Sequence, residues 1–270
     1  MGDTQEQCPN EPRRPSTDEL VRAYLAAKRS VIDGGYAHEI AWQSATGPLT
    51  PQRFVREAAW VIMCTGMSET VVSRLFPQFL EQLGGLNPAW LTRHAETARR
   101  HALRIFGHEK KIESILSIAT TARDLGSDGL RRRMREPEGF LLSLPYIGPV
   151  TWRHLAKNLG IPVAKADRHL TRLAAATRRS SVDALCTEIS AWLGDPIPVV
   201  DIVLWRWSIL HARTCGRTCS QLPLPDQVHR GPLRPQGDTA SLVHFSTYSA
   251  QPPAESRLAP RTAAQNKMSP

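Results

Sequence analysis

Long apolar runs are missing from this sequence. No stretch of the 270 residues approaches the roughly 18 to 20 consecutive apolar residues that a membrane-spanning helix needs. The first fifteen residues are too polar for a secretion signal. We therefore expect a cytoplasmic protein that does not contact a membrane. The cysteines, at positions 8, 64, 186, 215 and 219, form an odd set without an evident pairing scheme, so free thiols are expected.

Acidic residues are in deficit. The chain has 25 Asp and Glu against 34 Lys and Arg, which gives a formal net charge of +9. Residues 1–15 carry a net charge of −1 and the last 50 residues carry +2, which leaves +8 on residues 16–220. This excess predicts that the folded part of the chain binds a polyanion.

Aromatic residues are scarce at both ends of the chain. All seven tryptophans lie between Trp42 and Trp207, whereas the last 50 residues contain 8 of the 21 prolines and only two aromatic residues. A segment with so little apolar surface cannot offset the entropy of ordering by burial. We expect a disordered segment over 1–15, one folded domain over 16–220 and a disordered, proline-rich tail over 221–270.

Alternating strand patterns with hairpin turn residues are also absent, and helical signals take their place. Ser16 to Glu19 has the form of a capping box. Thr50-Pro51 has the form of an N-cap followed by proline at the first helical position. Apolar residues then recur at helical spacing, at Phe54, Ala58, Val61 and Ile62. The sequence predicts an all-α fold of short helices.

A possible phosphate-binding turn lies at residues 144–151, which read Leu-Pro-Tyr-Ile-Gly-Pro-Val-Thr. A short helix ends near Ser143, Gly148 is free to adopt a positive φ, and Pro149 opens the next helix. This arrangement presents unpaired backbone N–H groups at the positive end of a helix, where phosphates bind. The alternative is an ordinary corner between two helices.

An isolated carboxylate follows this turn. Asp167 lies 19 residues after Gly148, where a loop passes into a helix, and it is the only acidic residue between Gly139 and Ala176. The dipole of the helix that it opens favours the ionised form of its side chain. The alternative is that Asp167 is a simple N-cap.

Together, the turn and the aspartate resemble the helix-hairpin-helix (HhH-GPD) DNA glycosylases of the endonuclease III superfamily. In that family a hairpin of this form is followed by a catalytic Asp at a helix start, a His two residues later and an Arg on the same helix; here these are Asp167, His169 and Arg172. Weaker similarities lie at residues 59–76, which match an early buried helix and a DNA-facing loop, and at 200–215. The resemblance covers roughly residues 17–219.

The resemblance implies a two-lobed, all-α domain and a base-excision activity. Such an enzyme flips a damaged or modified base out of the duplex and cleaves its N-glycosidic bond. The carboxylate, here Asp167, stabilises the positive charge that develops on the sugar. The implied partner is double-stranded DNA containing such a base, bound by a monomer. A non-catalytic DNA-binding or damage-sensing protein on the same scaffold is the alternative.

Three departures from the family pattern shape the expected chemistry. Val150 occupies the position where bifunctional members carry a lysine, so a monofunctional glycosylase is implied, with Lys165 as the alternative amine for a lyase. Tyr146 replaces the first hairpin glycine. The four cysteines that hold an iron–sulfur cluster are not present as a set, and Cys215 and Cys219 with His211 make only a weak zinc motif. We expect no metal and no cofactor.

The expected site also includes contacts to DNA and to the flipped base. Besides the catalytic candidates Asp167 and Lys165, the expected DNA-binding residues are Leu144, Tyr146, Gly148, Val150, Thr151, Met67 and His169. Met67, in the loop 65–68, matches a residue that fills the gap left by a flipped base, the alternative being apolar burial. Candidates for the base pocket are Tyr36, His38, Trp42 and Trp205.

Overall fold

The structure, a computed structural model, describes residues 13–44 and 47–215, apart from the side chains of 213–215. Within these residues the chain is helical and contains no strand, so the all-α prediction is confirmed. The helices of the first half are α1 (Thr17–Val31), α2 (Ala37–Ser44), α3 (Pro51–Cys64), α4 (Glu69–Gln82), α5 (Pro88–Arg93) and α6 (Ala95–Ile105). Those of the second half are α7 (Glu109–Arg133), α8 (Pro137–Leu142), α9 (Thr151–Asn158), α10 (Arg168–Ala176), α11 (Val182–Leu193) and α12 (Ile197–Cys215).

The predicted helix starts are confirmed by their hydrogen bonds. Ser16 accepts from the backbone N–H of Glu19, and the Glu19 carboxylate accepts from the N–H of Ser16, which completes the capping box of α1. Thr50 caps α3 by accepting from the N–H of Arg53. The apolar residues that were predicted to face inward on α3 are all buried.

The larger of two apolar cores is built around α3 and α7. Its members include Phe54, Phe79, Ile112 and Leu155, all of which are fully buried. Burial of each such side chain contributes about 1.5–3 kcal/mol to folding. The core extends through Leu144 and Ile147 into the turn between α8 and α9, so this turn is fixed to the body of the protein.

The second core joins α1 to α10, α11 and α12. Tyr24, Leu170, Leu185 and Leu204 are buried in it. The connection from α9 to α10 therefore passes from one core to the other, since Leu159 belongs to the first and Ala164 to the second. Lys165 and Asp167 lie on this connection, beside the start of α10.

The predictions for the chain ends fall largely outside the described residues, which begin at residue 13 and end at 215. This applies to the tail over 221–270, to most of the segment 1–15 and to Cys8 and Cys219. Among the described helices, none combines the length and the apolar character that crossing a membrane requires.

Candidate active site

A cavity of about 480 Å³ opens beside the loop that carries Lys165. Its walls come from α2, α3, α4, α9 and α12, and its volume is typical of pockets for small organic groups. Three tryptophans, Trp42, Trp60 and Trp205, supply aromatic surface, and Trp42 is half exposed. Such a cavity can stack a planar ring.

Asp201 on α12 holds this loop in place. One of its carboxylate oxygens pairs with Lys157 Nζ on α9, and the other accepts from the backbone N–H of Lys165 at 2.6 Å. Both side chains of the pair are almost fully buried. In a buried pair each charge offsets the desolvation of the other. Asp201 therefore ties α9, α12 and the loop before α10 together.

Asp167 is the N-cap of α10, as its sequence position predicts. Its Oδ1 atom accepts from the backbone N–H groups of His169 and Leu170, at 2.9 and 3.1 Å. The second oxygen, Oδ2, lies 3.9 Å from Lys165 Nζ. One oxygen is thus used by the helix start, and the other is directed towards the amine at the cavity.

Lys165 lines the cavity with a mostly buried side chain. Burial lowers the pKa of its amine, and although the charge of Asp167 opposes this effect, that of Lys157 reinforces it. The pKa of the neighbouring His154, also in the cavity wall, lies well below its ordinary value because of burial and of both lysines. The cavity therefore presents a neutral imidazole and an amine that loses its proton more readily than an ordinary lysine.

The turn between α8 and α9 differs from the expected one in detail. The residue with positive φ is Tyr146, at 65°, and Gly148 has no positive φ, so the expectation for Gly148 was wrong. The N–H of Gly148 donates to Thr151 Oγ1 at 2.7 Å and its C=O accepts from the N–H of Trp152, which fixes this residue as the start of the next helical turn. Helix α9 begins at Thr151, two residues later than expected from Pro149.

The backbone N–H groups of Val150 and Thr151 have no acceptor within the described part of the chain. They lie at the positive end of α9, where an anion is favoured. The side chain of Leu144 packs in the larger core instead of facing out, whereas those of Tyr146 and Val150 are exposed. None of these hairpin residues lines the cavity.

A buried lysine joins this turn to the loop 65–68. Lys111 Nζ donates to the carbonyl oxygens of Met63 and Thr65, at 3.2 and 2.6 Å, and lies 5.7 Å from the centre of the Tyr146 ring. Burial lowers the pKa of Lys111. Met67, two residues after this anchor, is 36% exposed and lines the cavity, so the alternative of apolar burial is wrong.

Arg206 on α12 links three of the helices that form the cavity wall. It forms ion pairs with Glu39 on α2 and Glu69 on α4, and its guanidinium lies 4.3 Å from the centre of the Tyr36 ring. Tyr36 packs against this arginine and is not part of the cavity lining, whereas His38, Trp42 and Trp205 are. Three of the four candidates for the base pocket are thus brought together.

Glu57 on α3 is the least compensated charge of the cavity. It is 7% exposed, and its Oε2 atom accepts from Asn158 Nδ2 at 3.2 Å. Asn158 Oδ1 accepts in turn from Gln43 Nε2 at 3.5 Å. Among the described residues no Lys, Arg or His nitrogen forms an ion pair with Glu57, and burial raises its pKa to about 7.

Several cavity residues were not found from the sequence, namely Glu57, Trp60, His154, Lys157 and Asn158. A signal exists for Glu57, because it falls three residues after Phe54 and four before Val61, on the buried face of α3. A carboxylate on such a face is unusual. His169, by contrast, was expected at the site but does not line the cavity; its ring accepts from Arg168 Nε at 3.3 Å.

The described side chains contain no group of three His, Cys, Asp or Glu that could hold a metal ion.

Comparisons of the chain with protein-family models, with curated proteins and with solved structures found no match. The function is therefore inferred from the residues and their geometry.

Loss of the Asp201 carboxylate is expected to destabilise the fold strongly. Asp201→Ala leaves the Lys157 ammonium buried without a partner, which costs about 3–5 kcal/mol. Urea denaturation of the variant measures this loss. The control is Asp128→Ala, which removes one partner of the exposed pair with Arg131 and should cost less than about 1 kcal/mol. Equal losses in the two variants would show that the buried pair has no special role.

The raised pKa of Glu57 predicts a pH-dependent stability. The folded state releases this proton near pH 7, whereas the unfolded chain releases it near the ordinary value of 4.5. The free energy of unfolding therefore falls as the pH rises from about 4.5 to about 7, and stays lower above that window. At about 1.4 kcal/mol per tenfold change in proton affinity, the loss amounts to about 3 kcal/mol.

Glu57→Gln, which has the shape of the protonated acid, removes this loss. We expect the variant to be more stable than the wild type above pH 8, by up to about 3 kcal/mol, and to match it near pH 4.5. Denaturation curves across this range check the expectation, with Glu81→Gln as the exposed control. A constant difference between Glu57→Gln and the wild type at all pH values would contradict it.

Proposed function

We propose that this protein is a monomeric DNA glycosylase that binds duplex DNA, flips a damaged or modified base and hydrolyses its N-glycosidic bond. The observation that carries the proposal is the Oδ2 atom of Asp167, which lies outside the cavity lining but 3.9 Å from the amine of Lys165, a residue of the tryptophan-containing cavity wall. A base inside a duplex is not accessible to chemistry at its sugar, so the enzyme must extrude it into such a cavity.

The elements around the cavity suit base extrusion. Trp42 and Trp205 offer ring surface on which a flipped base can stack. Met67 is exposed on a short loop at the same cavity, and the Lys111 ammonium fixes the start of that loop through two carbonyl groups. An apolar side chain in this place can enter the gap that the base leaves in the stack.

Asp167 supplies the chemistry. Cleavage of the glycosidic bond builds positive charge on the sugar, and a nearby carboxylate stabilises it. The two N–H groups bound to Oδ1 hold the carboxylate in place, and Oδ2 remains for the sugar or for the attacking water. The water gives its hydroxyl to the sugar carbon, and its proton leaves with the base.

The start of α9 is the proposed binding site for a phosphate of the DNA strand. The N–H groups of Val150 and Thr151 are without an acceptor in the described residues and point from a positive helix end. The net charge of +8 on residues 16–220 adds a general attraction to phosphates. The exposed side chains of Tyr146 and Val150 flank this position.

Asp167→Asn tests the catalytic assignment. Asparagine caps a helix as well as aspartate does, so stability should not change. Loss of the negative charge should lower the rate of base release by about 10²-fold or more. The measurement is single-turnover release from duplexes that each contain one of a panel of damaged or modified bases, followed by mass spectrometry. Asp124→Asn, an exposed carboxylate remote from the cavity, is the control. Unchanged release in Asp167→Asn would overturn the assignment.

Lys165 supports a second candidate, a bifunctional glycosylase with lyase activity. The observation in its favour is the position of the amine in the cavity, with a pKa lowered by burial and a carboxylate 3.9 Å away. In that reaction the neutral amine forms a bond to the sugar carbon as the base departs with a proton. The remaining amine proton then passes to the ring oxygen O4′ as the C1′–O4′ bond breaks, which gives an imine. Removal of a C2′ proton expels the 3′ phosphate and breaks the strand.

Borohydride trapping separates the two candidates. If Lys165 is the nucleophile, reduction during turnover gives a covalent DNA adduct with the wild type and with Lys110→Met, an exposed lysine, but none with Lys165→Met. If water is the nucleophile, base release proceeds without an adduct in any of the three proteins. The adduct is detected as a band of reduced mobility in a denaturing gel.

A further inference from the structure

We propose that Glu57, Asn158 and Gln43 form the wall of the cavity that recognises the edge of the extruded base, and that Glu57 accepts an N–H from it. The substrate class that fits this wall is a base that carries a ring N–H beside a carbonyl group, as in uracil, hypoxanthine and guanine. The inference rests on the proposed function, since that function is what places a base in the cavity.

The first argument is the state of Glu57. Its side chain is more than nine-tenths buried, lines the cavity and forms no ion pair within the described residues. Only Oε2 has a hydrogen-bond partner there, namely Asn158 Nδ2. The other oxygen, Oε1, has no donor among the described residues and is not enclosed by protein atoms, so it is open to a donor from a ligand in the cavity.

The second argument is the direction of the hydrogen bonds. Gln43 donates to Asn158, and Asn158 donates to Glu57, so each amide directs an N–H towards the carboxylate. Such a row polarises Glu57 as an acceptor. The positive charges of Arg56 and Arg53 also favour the ionised form of Glu57, which accepts hydrogen bonds, because both lower its pKa against the effect of burial. The free position at the end of the row is therefore an acceptor for an N–H.

The third argument is the group beside that acceptor. The second hydrogen of Asn158 Nδ2 is not used in any hydrogen bond of the described residues. An acceptor on Glu57 next to a donor on Asn158 matches a ring N–H next to a carbonyl oxygen. Trp60 lies in the same wall and is fixed by an edge-to-face contact with Phe76, with ring centres 5.1 Å apart. It offers the base a rigid aromatic neighbour.

This assignment excludes bases that are alkylated at the ring nitrogen. A methyl group there removes the donor, and the Oε1 atom of Glu57 is then covered by the base without a partner, while Oε2 keeps its bond from Asn158. Sites built to bond a donor reject analogues that lack it far more strongly than apolar pockets reject a change in size. The residues that discriminate are Glu57 and Asn158, neither of which touches the Asp167 carboxylate by any hydrogen bond described above.

Matched pairs of free bases test the inference without any chemical step. Binding of 1-methyluracil against 1,3-dimethyluracil, and of 9-methylhypoxanthine against 1,9-dimethylhypoxanthine, is measured on the full chain by quenching of tryptophan fluorescence, since three tryptophans line the cavity. The methyl group that both members of a pair carry blocks the nitrogen that is bonded to the sugar in DNA. We expect the doubly methylated base of each pair to bind the wild type at least about tenfold more weakly. Glu57→Met should abolish this difference, while Glu81→Met, an exposed control, should retain it.

The results also separate this inference from the proposed function. Equal binding of the paired bases by the wild type, or no binding of any base, overturns the inference, as does tighter binding of adenine than of hypoxanthine. Discrimination that persists in Glu57→Met overturns the role of Glu57. If the paired bases are discriminated as expected but no base is released from DNA, the inference stands and the glycosylase proposal fails. If bases are released from DNA but Glu57→Met releases methylated and unmethylated bases at the wild-type ratio, the glycosylase proposal stands and the inference about Glu57 fails.

Discussion

The carboxylate of Asp201 is the constraint on which the site depends. Two helices and a loop have to meet at one point for Lys165 to line the cavity with Asp167 beside it, and the connection that carries both residues passes from one apolar core to the other. Ile161, Val163 and Ala164 fix the first part of this connection by packing against the two cores. The two oxygens of Asp201 fix its continuation at Lys165, one by the ion pair to Lys157 and one by the hydrogen bond to the N–H of Lys165. A single buried side chain thus fixes the position of the loop relative to α9.

The two roles considered for Asp167, helix cap and catalytic carboxylate, are compatible with each other. A carboxylate has two oxygens, and the start of α10 occupies only Oδ1. The two hydrogen bonds of the cap fix the direction of the carboxylate, and a group that stabilises a cationic sugar has to be held in a defined position. The presence of a cap is therefore no argument against a catalytic role, and it provides the orientation that such a role needs.

The sequence predicted the features that depend on local chemistry. The caps at Ser16 and Thr50, the buried face of α3 and the helix start at Asp167 follow from neighbours within a few residues, and the structure confirms all of them. The positive φ at Tyr146 was missed, because it is stabilised by distant groups: the ring contacts His108 edge to face and lies close to the Lys111 ammonium. The strain of such a conformation, about 1–3 kcal/mol, is tolerated only where the surroundings fix it.

The cavity was beyond prediction for a related reason. Its walls come from three consecutive helices, α2 to α4, and from the distant helices α9 and α12, and no spacing rule relates Trp42 on α2 to Asn158 on α9 or to Trp205 on α12. The one local signal was Glu57, a carboxylate in a run of inward-facing positions. Its meaning becomes clear only when the surrounding groups are known, because a buried acid can be a paired structural element or an acceptor that awaits a ligand.

The buried charged side chains differ in how completely ion pairs and hydrogen bonds match their charges. Arg179, which lies away from the cavity, is fully matched, because it binds both oxygens of Glu188 and two backbone carbonyls. At the cavity, Glu57 has one weak partner and Lys165 has a carboxylate only at 3.9 Å. Each of these groups lowers the stability of the empty protein relative to an apolar replacement. Two incompletely matched ionisable groups beside one cavity are typical of a site for binding and chemistry, where stability alone does not determine the residues.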